Sequence, residues 1–354
     1  MVRVPTPAEH SHRFHRELAL MREGSGRTSD RRWRWVKLLL SLVIVLVFAV
    51  FLLAGLREVD WQETGRALRR YDQLTVVTGI VLALCGYGVA SSYELLGRRY
   101  ERHRLPAVTT GLIGFVAYAF AMNLGALLGG WMVRFRLYTR RGLAARRVAR
   151  VIGIGVLTNW SGYLLLAGLV FSLQPPQPPP DWPIHADALR GLGLLLLSLC
   201  AWYLWLCSRH EGRHWQLRGV RLHCPPLGFA LRQIAVSSLS WSLMAAVIAN
   251  YLPDSVSYLT VLAVLFLSGI AGLIVRIPAG LGVMEAVFVA ALAHRVGSPV
   301  VIAAMLAFRA SYYLLPLLLG LALYLALEAS GRRRKPLSRR EPSMASGREL
   351  LGDC

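Results

Sequence analysis

The chain has 354 residues, 55% of them hydrophobic, with a formal net charge of +21 and a mean hydropathy of +0.47. That pairing excludes a single soluble core and fits a membrane protein whose charges are confined to loops. The five cysteines (Cys85, Cys200, Cys207, Cys224, Cys354) contain no C-x-x-C spacing, so neither a disulfide framework nor a zinc ribbon is indicated.

In chain order, residues 1–35 form a polar, basic tail, read as disordered and ending in RRWRWVK. The apolar run from Val36 to Leu56 matches a bilayer crossing of about 20 residues. It is too long and too far from the start for a cleaved signal, and no small-residue cleavage site follows it. The next stretch, REVDWQETGRALRRYD (57–72), predicts a helix opened by Asp60 and Glu63, with Trp61, Leu68 and Tyr71 laid on the membrane surface. Apolar runs then recur near 73–92, 107–130, 151–173, 188–207, 228–251, 258–275, 283–296 and 298–328, before a second basic tail at 329–354, also read as disordered. The expected fold is therefore an all-α polytopic membrane protein of about eight transmembrane helices, with the membrane domain at 36–328.

Arginine placement sets the orientation. Both tails and the loops RRYERHR (98–104), RFRLYTRRGLAARRVAR (134–150) and 209–221 are basic, whereas QPPQPPPDWP (174–183) and PDSVS (253–257) contain no Lys or Arg. The basic loops and both termini are expected on the cytoplasmic side of a bacterial inner membrane. Residues 107–130 join two basic loops, so a single crossing there would put one loop outside. A re-entrant hairpin resolves the conflict, and the Gly- and Ala-rich AVTTGLIGFVAYAFAMNLGALLGG with its lone Asn123 suits a broken segment packed inside protein.

A second break is written into VRIPAGLGVMEAVF (275–288). Pro278 lacks an N–H and its ring clashes with the preceding turn, so a helix from Tyr258 should end around Arg276 and a new one should begin at Val283. Gly280 and Gly282 give irregular backbone between them, and the fresh N-terminus offers N–H donors to an anion or to Glu285 itself. Such a break can be a structural kink, with Arg276 reaching to the interface and Glu285 capping the helix. A third charge, Arg309, lies inside AAMLAFRASYYLLPLLLG and needs a partner, because a charge at depth costs roughly 2.5–3.5 kcal/mol on insertion scales. Glu285 is the partner the sequence offers. On the functional reading Arg276, Glu285 and Arg309, with Asn123 and Tyr312, line a polar cavity for a lipid head group.

These segments resemble a family. NLGALLGGWMVRFRLYTRRGL (123–143), VRIPAGLGVMEAVF and FRASYYLLPLLLG (308–320) look like the signature segments of the YbhN-like membrane proteins, related to the transmembrane flippase domain of lysylphosphatidylglycerol synthases. The resemblance covers roughly residues 36–328 and adds Arg134 and Arg136 to the substrate-binding set. It implies an internally repeated, inverted bundle with re-entrant elements that handles phospholipid. SSYELLGRRY (91–100) resembles the family's Tyr-acid segment, but with Glu94 where Asp is expected, which leaves that position without an assigned role. No aminoacyl-transferase domain follows, so lipid aminoacylation is not implied.

The competing motif is HEGRH (210–214), which matches H-E-x-x-H in form. Its inner Gly and Arg and its basic-loop setting favour solvated histidines over zinc, although His223 or Cys224 could supply a third ligand. No nucleotide loop, nucleophile elbow or paired-Asp site appears, so no cofactor, metal or catalytic role is expected. Basic loops at a bilayer meet anionic lipid head groups rather than nucleic acid. Two function classes remain: a lipid transporter, and a membrane-embedded enzyme or accessory subunit of lipid and envelope metabolism. A homodimer is compatible with either.

Overall fold

The computed structural model describes residues 61–175, 185–210, 214–217, 220–275 and 282–332. They form eleven α-helices: α1 (Trp61–Arg69), α2 (Gln73–Glu101), α3 (Ala107–Gly125), α4 (Val133–Thr139), α5 (Ala145–Leu173), α6 (Ala186–Arg209), α7 (Leu227–Tyr251), α8 (Tyr258–Val275), α9 (Val283–Val296), α10 (Ser298–Phe308) and α11 (Leu315–Arg332). Two π-helical stretches, Ala126–Met132 and Arg309–Leu314, lead into α4 and α11. A small antiparallel hairpin, β1 (His214–Leu217) with β2 (Val220–His223), sets His214 opposite His223.

Among the described residues seven helical stretches are long and apolar enough to cross a bilayer: α2, α3, α5, α6, α7, α8, and the run from α10 into α11 (Ser298–Ala329). Helix α9, at 14 residues, is shorter than the roughly 20 that a bilayer crossing takes. The first expected span, Val36–Leu56, the first tail, the second tail from residue 333 on, and Arg276, Pro278 and Gly280 lie outside the described residues, while residues 329–332 continue α11 as helix.

The chain divides into two compact units. One comprises residues up to Gly79, Leu169–Leu194 and Ala245–Phe308. Here α8 is described to Val275 and α9 starts at Val283, where the sequence expects a new helix; the expected break at Pro278 lies outside the described residues. Gly282 precedes α9 with φ +79°, a left-handed conformation that costs a glycine little, and Glu285 occupies the first turn. Helix α9 packs on both α8 and α10. Helix α1, expected on the membrane surface, is packed along α10. Thr64 is buried there. Tyr71 donates its hydroxyl to the Tyr251 carbonyl at 2.7 Å, and Asn250 donates to the Thr75 carbonyl at 2.8 Å.

The other unit comprises Ile80–Gly168, Leu195–Met244 and the residues from Arg309 onward. Helix α3 runs unbroken to Gly125, whose φ of +84° reverses the chain into the π-helical stretch and α4. The two arms press together at Gly129, where a Cβ would stand 2.0 Å from the Phe120 carbonyl oxygen. The segment 107–130 is thus a helical hairpin, broken near its far end rather than in its middle. Ile113, Val116, Leu137, Tyr138, Val148, Val151, Ile152 and Leu327 form the core that holds it, and α11 packs along α3, with Gly320 against Ala119. A polar seam ties the neighbouring helices: Tyr203 donates to Gln233 Oε1 at 2.7 Å, Gln233 Nε2 donates to Thr158 at 2.8 Å, and Ser237 and Trp241 both donate to the Asn159 carbonyl. In lipid such bonds contribute about 0.6 kcal/mol on average, so they fix helix register more than they add stability.

Candidate functional site

Glu94 is the most deeply buried carboxylate among the described residues, at 1% exposure, and sits within the apolar helix α2. Room for it comes from Gly114 on α3, where a Cβ would fall 2.8 Å from Glu94 Cγ and 2.9 Å from the Ser91 carbonyl. Its charge is met from the returning arm of the hairpin. Arg134 Nε donates to Oε1 at 2.5 Å, and the Tyr138 hydroxyl donates to Oε2 at 2.6 Å. Both carboxylate oxygens therefore accept short, charge-assisted bonds, which offset the cost of burying the ion.

Arg134 also donates through Nη1 to the Gly130 carbonyl at 3.2 Å, inside the π-helical stretch. Its side chain keeps 15% exposure against 1% for Glu94, so the pair presents a cation outward and hides its anion. Gly130 permits this, since a Cβ there would stand 3.2 Å from Nη1.

The second π-helical stretch is built into the same unit. π-helical turns lack the regular i to i−4 ladder and occur frequently at functional sites. Here side chains supply donors to it: Tyr87 donates to the Tyr312 carbonyl at 2.9 Å and Asn123 to the Tyr313 carbonyl at 3.2 Å. Asn123 also donates to Ala119 at 2.9 Å. Tyr312 is fully buried, its hydroxyl 3.4 Å from that of Tyr118, and its ring packs on Tyr87. Arg309 lies over the face of Tyr313, 5.0 Å from the ring centroid, a cation–π contact.

Of the residues expected to bind substrate, Arg134, Asn123, Tyr312 and Arg309 fall in this unit. Arg136 does too, but on the outer side of α4, where Nε donates to Glu328 Oε1 at 2.7 Å and Arg140 pairs with the same carboxylate. Glu285 belongs to the other unit. Sequence reasoning left Glu94 without a role and passed over Tyr138. The signal available was a lone acid in an apolar helix, the same signal that singled out Arg309.

HEGRH does not take up the helical geometry that H-E-x-x-H requires. Helix α6 ends at Arg209, His210 follows it, and His214 is already on β1. Among the described residues no group of three His, Cys, Asp or Glu is placed to hold a metal ion.

The sequence matches the family described as the lysylphosphatidylglycerol synthase TM region over residues 35–320. It is 40% identical over 306 residues to the inner membrane protein YbhN of Escherichia coli, covering 86% of this chain and 96% of that protein. It is 28% identical over 269 residues to the Synechocystis protein slr0712, covering 74% and 82% respectively. With its long apolar helices and its buried, paired charges, the chain is an integral membrane protein belonging to the lysylphosphatidylglycerol synthase TM-region family.

Proposed function

We propose that this protein binds the head group of a phospholipid and moves it between the leaflets of a bacterial inner membrane, with both termini cytoplasmic. One observation carries the reading: a guanidinium held by a deeply buried carboxylate yet still partly exposed, in a hairpin anchored by the core of Ile113, Val116 and Leu137. The Arg134 fork is suited to bidentate contact with phosphate. Two of its nitrogens are engaged by Glu94 and Gly130, and among the described residues Nη2 meets no acceptor. A lipid phosphate would compete with Glu94 for this cation, while acyl chains remain in the bilayer. Arg309, set over Tyr313, is a second cation of the same unit suited to an anionic group.

The test is reconstitution. Purified protein in liposomes should move labelled phosphatidylglycerol between leaflets without altering it chemically. A new lipid species without leaflet exchange would replace this reading with a membrane-embedded enzyme.

A further inference from the structure

Helix α6 ends at Arg209, and the chain then turns back in the hairpin of β1 and β2, whose register sets His214 opposite His223. The hairpin returns Cys224, the residue after β2, to the last turn of α6. There Cys224 Sγ donates to the Leu206 carbonyl at 3.6 Å. Pro225 and Pro226 follow it, and a residue ahead of proline is pushed into extended backbone. Pro226 also opens α7, its carbonyl accepting the Phe229 and Ala230 N–H groups at 2.9 and 3.1 Å. Cys224 is thus fixed between the end of one helix and the start of the next.

Beside Leu206 stands Cys207, fully buried on α6. Its thiol is within hydrogen-bond reach of the Cys224 thiol and of the Tyr203 hydroxyl one turn earlier. Cys224 is partly exposed, so one sulfur of the pair is open to solution and the other is not. The remaining cysteines are elsewhere: Cys200 is buried about two turns further back along α6, Cys85 is on α2, and Cys354 lies outside the described residues. Both members of the pair belong to one compact unit. An accessible thiol backed by a second is the arrangement of a redox-sensing pair, because the sulfenic acid formed on the first condenses with its neighbour.

We infer that Cys207 and Cys224 are a reversible modification site, joined as a disulfide by hydrogen peroxide and parted again by small-molecule thiols. The Cys224 sulfur attacks one peroxide oxygen, the O–O bond breaks, and the thiol proton goes to the departing oxygen, giving Cys224 sulfenic acid and water. The Cys207 sulfur then attacks the Cys224 sulfur. The S–O bond breaks, the Cys207 proton goes to the departing hydroxide, and a second water leaves. Two thiols lose two electrons and two protons, and one peroxide takes up both. Two small-molecule thiols reverse the bridge by exchange and end as their own disulfide. In the orientation expected from the arginine-rich loops this end of α6 is cytoplasmic, where disulfides are transient and redox-sensing rather than structural. The bridge clamps the last turn of α6 to the segment entering α7, two helices that Tyr203 and Gln233 already join at 2.7 Å.

The experiment uses the full chain in detergent, reduced and then freed of reductant. Hydrogen peroxide should remove two of the five thiols, counted after denaturation with a thiol-reactive dye. The peptide map should contain Cys207 joined to Cys224, and dithiothreitol should restore both thiols. In Cys224→Ser the Cys207 thiol should stay reduced at the same peroxide dose, because no accessible sulfur remains beside it. Five thiols after peroxide would overturn the site. So would a bridge from either cysteine to Cys85, Cys200 or Cys354, or Cys224 carried on to a sulfinic acid with Cys207 still free. If Cys224→Ser does not fold, the peptide map of the parent protein decides alone.

Discussion

Glu94 on α2 and Arg134 on α4, 40 residues apart in sequence, are joined at 2.5 Å because Gly114 lets the hairpin approach the helix. Removing one member strands the other. Glu94→Ala should lower stability by about 3 kcal/mol, in the range measured for broken buried pairs, read as thermal melting in detergent. Arg134→Lys keeps the charge and loses the fork. It should melt nearer to the parent protein than Glu94→Ala does, while slowing movement of labelled phosphatidylglycerol in liposomes. Parent-like transport in Arg134→Lys would remove this residue from the phosphate site.

Two glycines of one hairpin should respond in opposite directions to alanine. At Gly129 the new methyl would meet the Phe120 carbonyl at 2.0 Å, whereas at Gly111 nothing lies within 4 Å. Gly129→Ala should destabilise by about 1–3 kcal/mol through overpacking. Gly111→Ala, inside α3, should stabilise by roughly 0.5–1 kcal/mol through backbone entropy. Chemical denaturation of the two variants gives the comparison, and equal effects would show that the arms of the hairpin are not in contact at Gly129.

Arg309 lies over the aromatic face of Tyr313. Tyr313→Phe keeps that face and should preserve transport, whereas Tyr313→Leu removes it and should cost about 0.5–2 kcal/mol of the cation's stabilisation. Transport rates in the order parent, Phe, Leu are the expected result.

Asp72 opens α2 by accepting the Thr75 backbone N–H at 3.0 Å, and hydrogen bonding from the Thr75 side chain, with this backbone bond second, lowers its pKa below the ordinary carboxylate value of 3.8. A lowered folded-state pKa means that the contribution is present above pH 3.8 and is lost as pH falls through the folded value. Asp72→Asn, which keeps the accepting oxygen, should abolish that acid dependence with little change near neutrality. Melting measured through the acid range checks it.

The topology has its own test. A cysteine placed at Gln177 should be labelled by a reagent confined to the periplasmic side, while cysteines at Arg140 and Arg213 should not. Labelling at Arg140 would show that α3 and α4 do not return the chain to the side it came from.

Local chemistry was legible in the sequence where one residue dictates it. The break expected after Pro278 predicted the start of α9 at Val283, and the small residues of 107–130 predicted a broken segment. What required three dimensions was pairing. Nothing in the spacing of Glu94 and Arg134 says that they meet, since their contact depends on a glycine of a third helix. The π-helical stretches were invisible because their composition matches ordinary apolar helix. For α1, the amphipathic pattern announces an apolar face but not its neighbour, and the packing against α10 required the structure. HEGRH misleads in the opposite direction, because its spacing has meaning only on a helix that here ends before it.

The bond from Asn123 to the Tyr313 carbonyl spans 190 residues, which sets an order of events during synthesis. Helix α3 and its hairpin leave the ribosome long before the segment that they hold exists. At roughly 5–20 residues per second, the interval is about 10–40 s. For that time the Asn123 amide must sit in or beside the bilayer without its distant acceptor, and the face of α3 that α11 will cover must find temporary cover elsewhere. A chain stopped short of residue 313 would keep that early hairpin permanently unfinished. It would present a polar amide and an uncovered helix face to the quality-control proteases of the membrane.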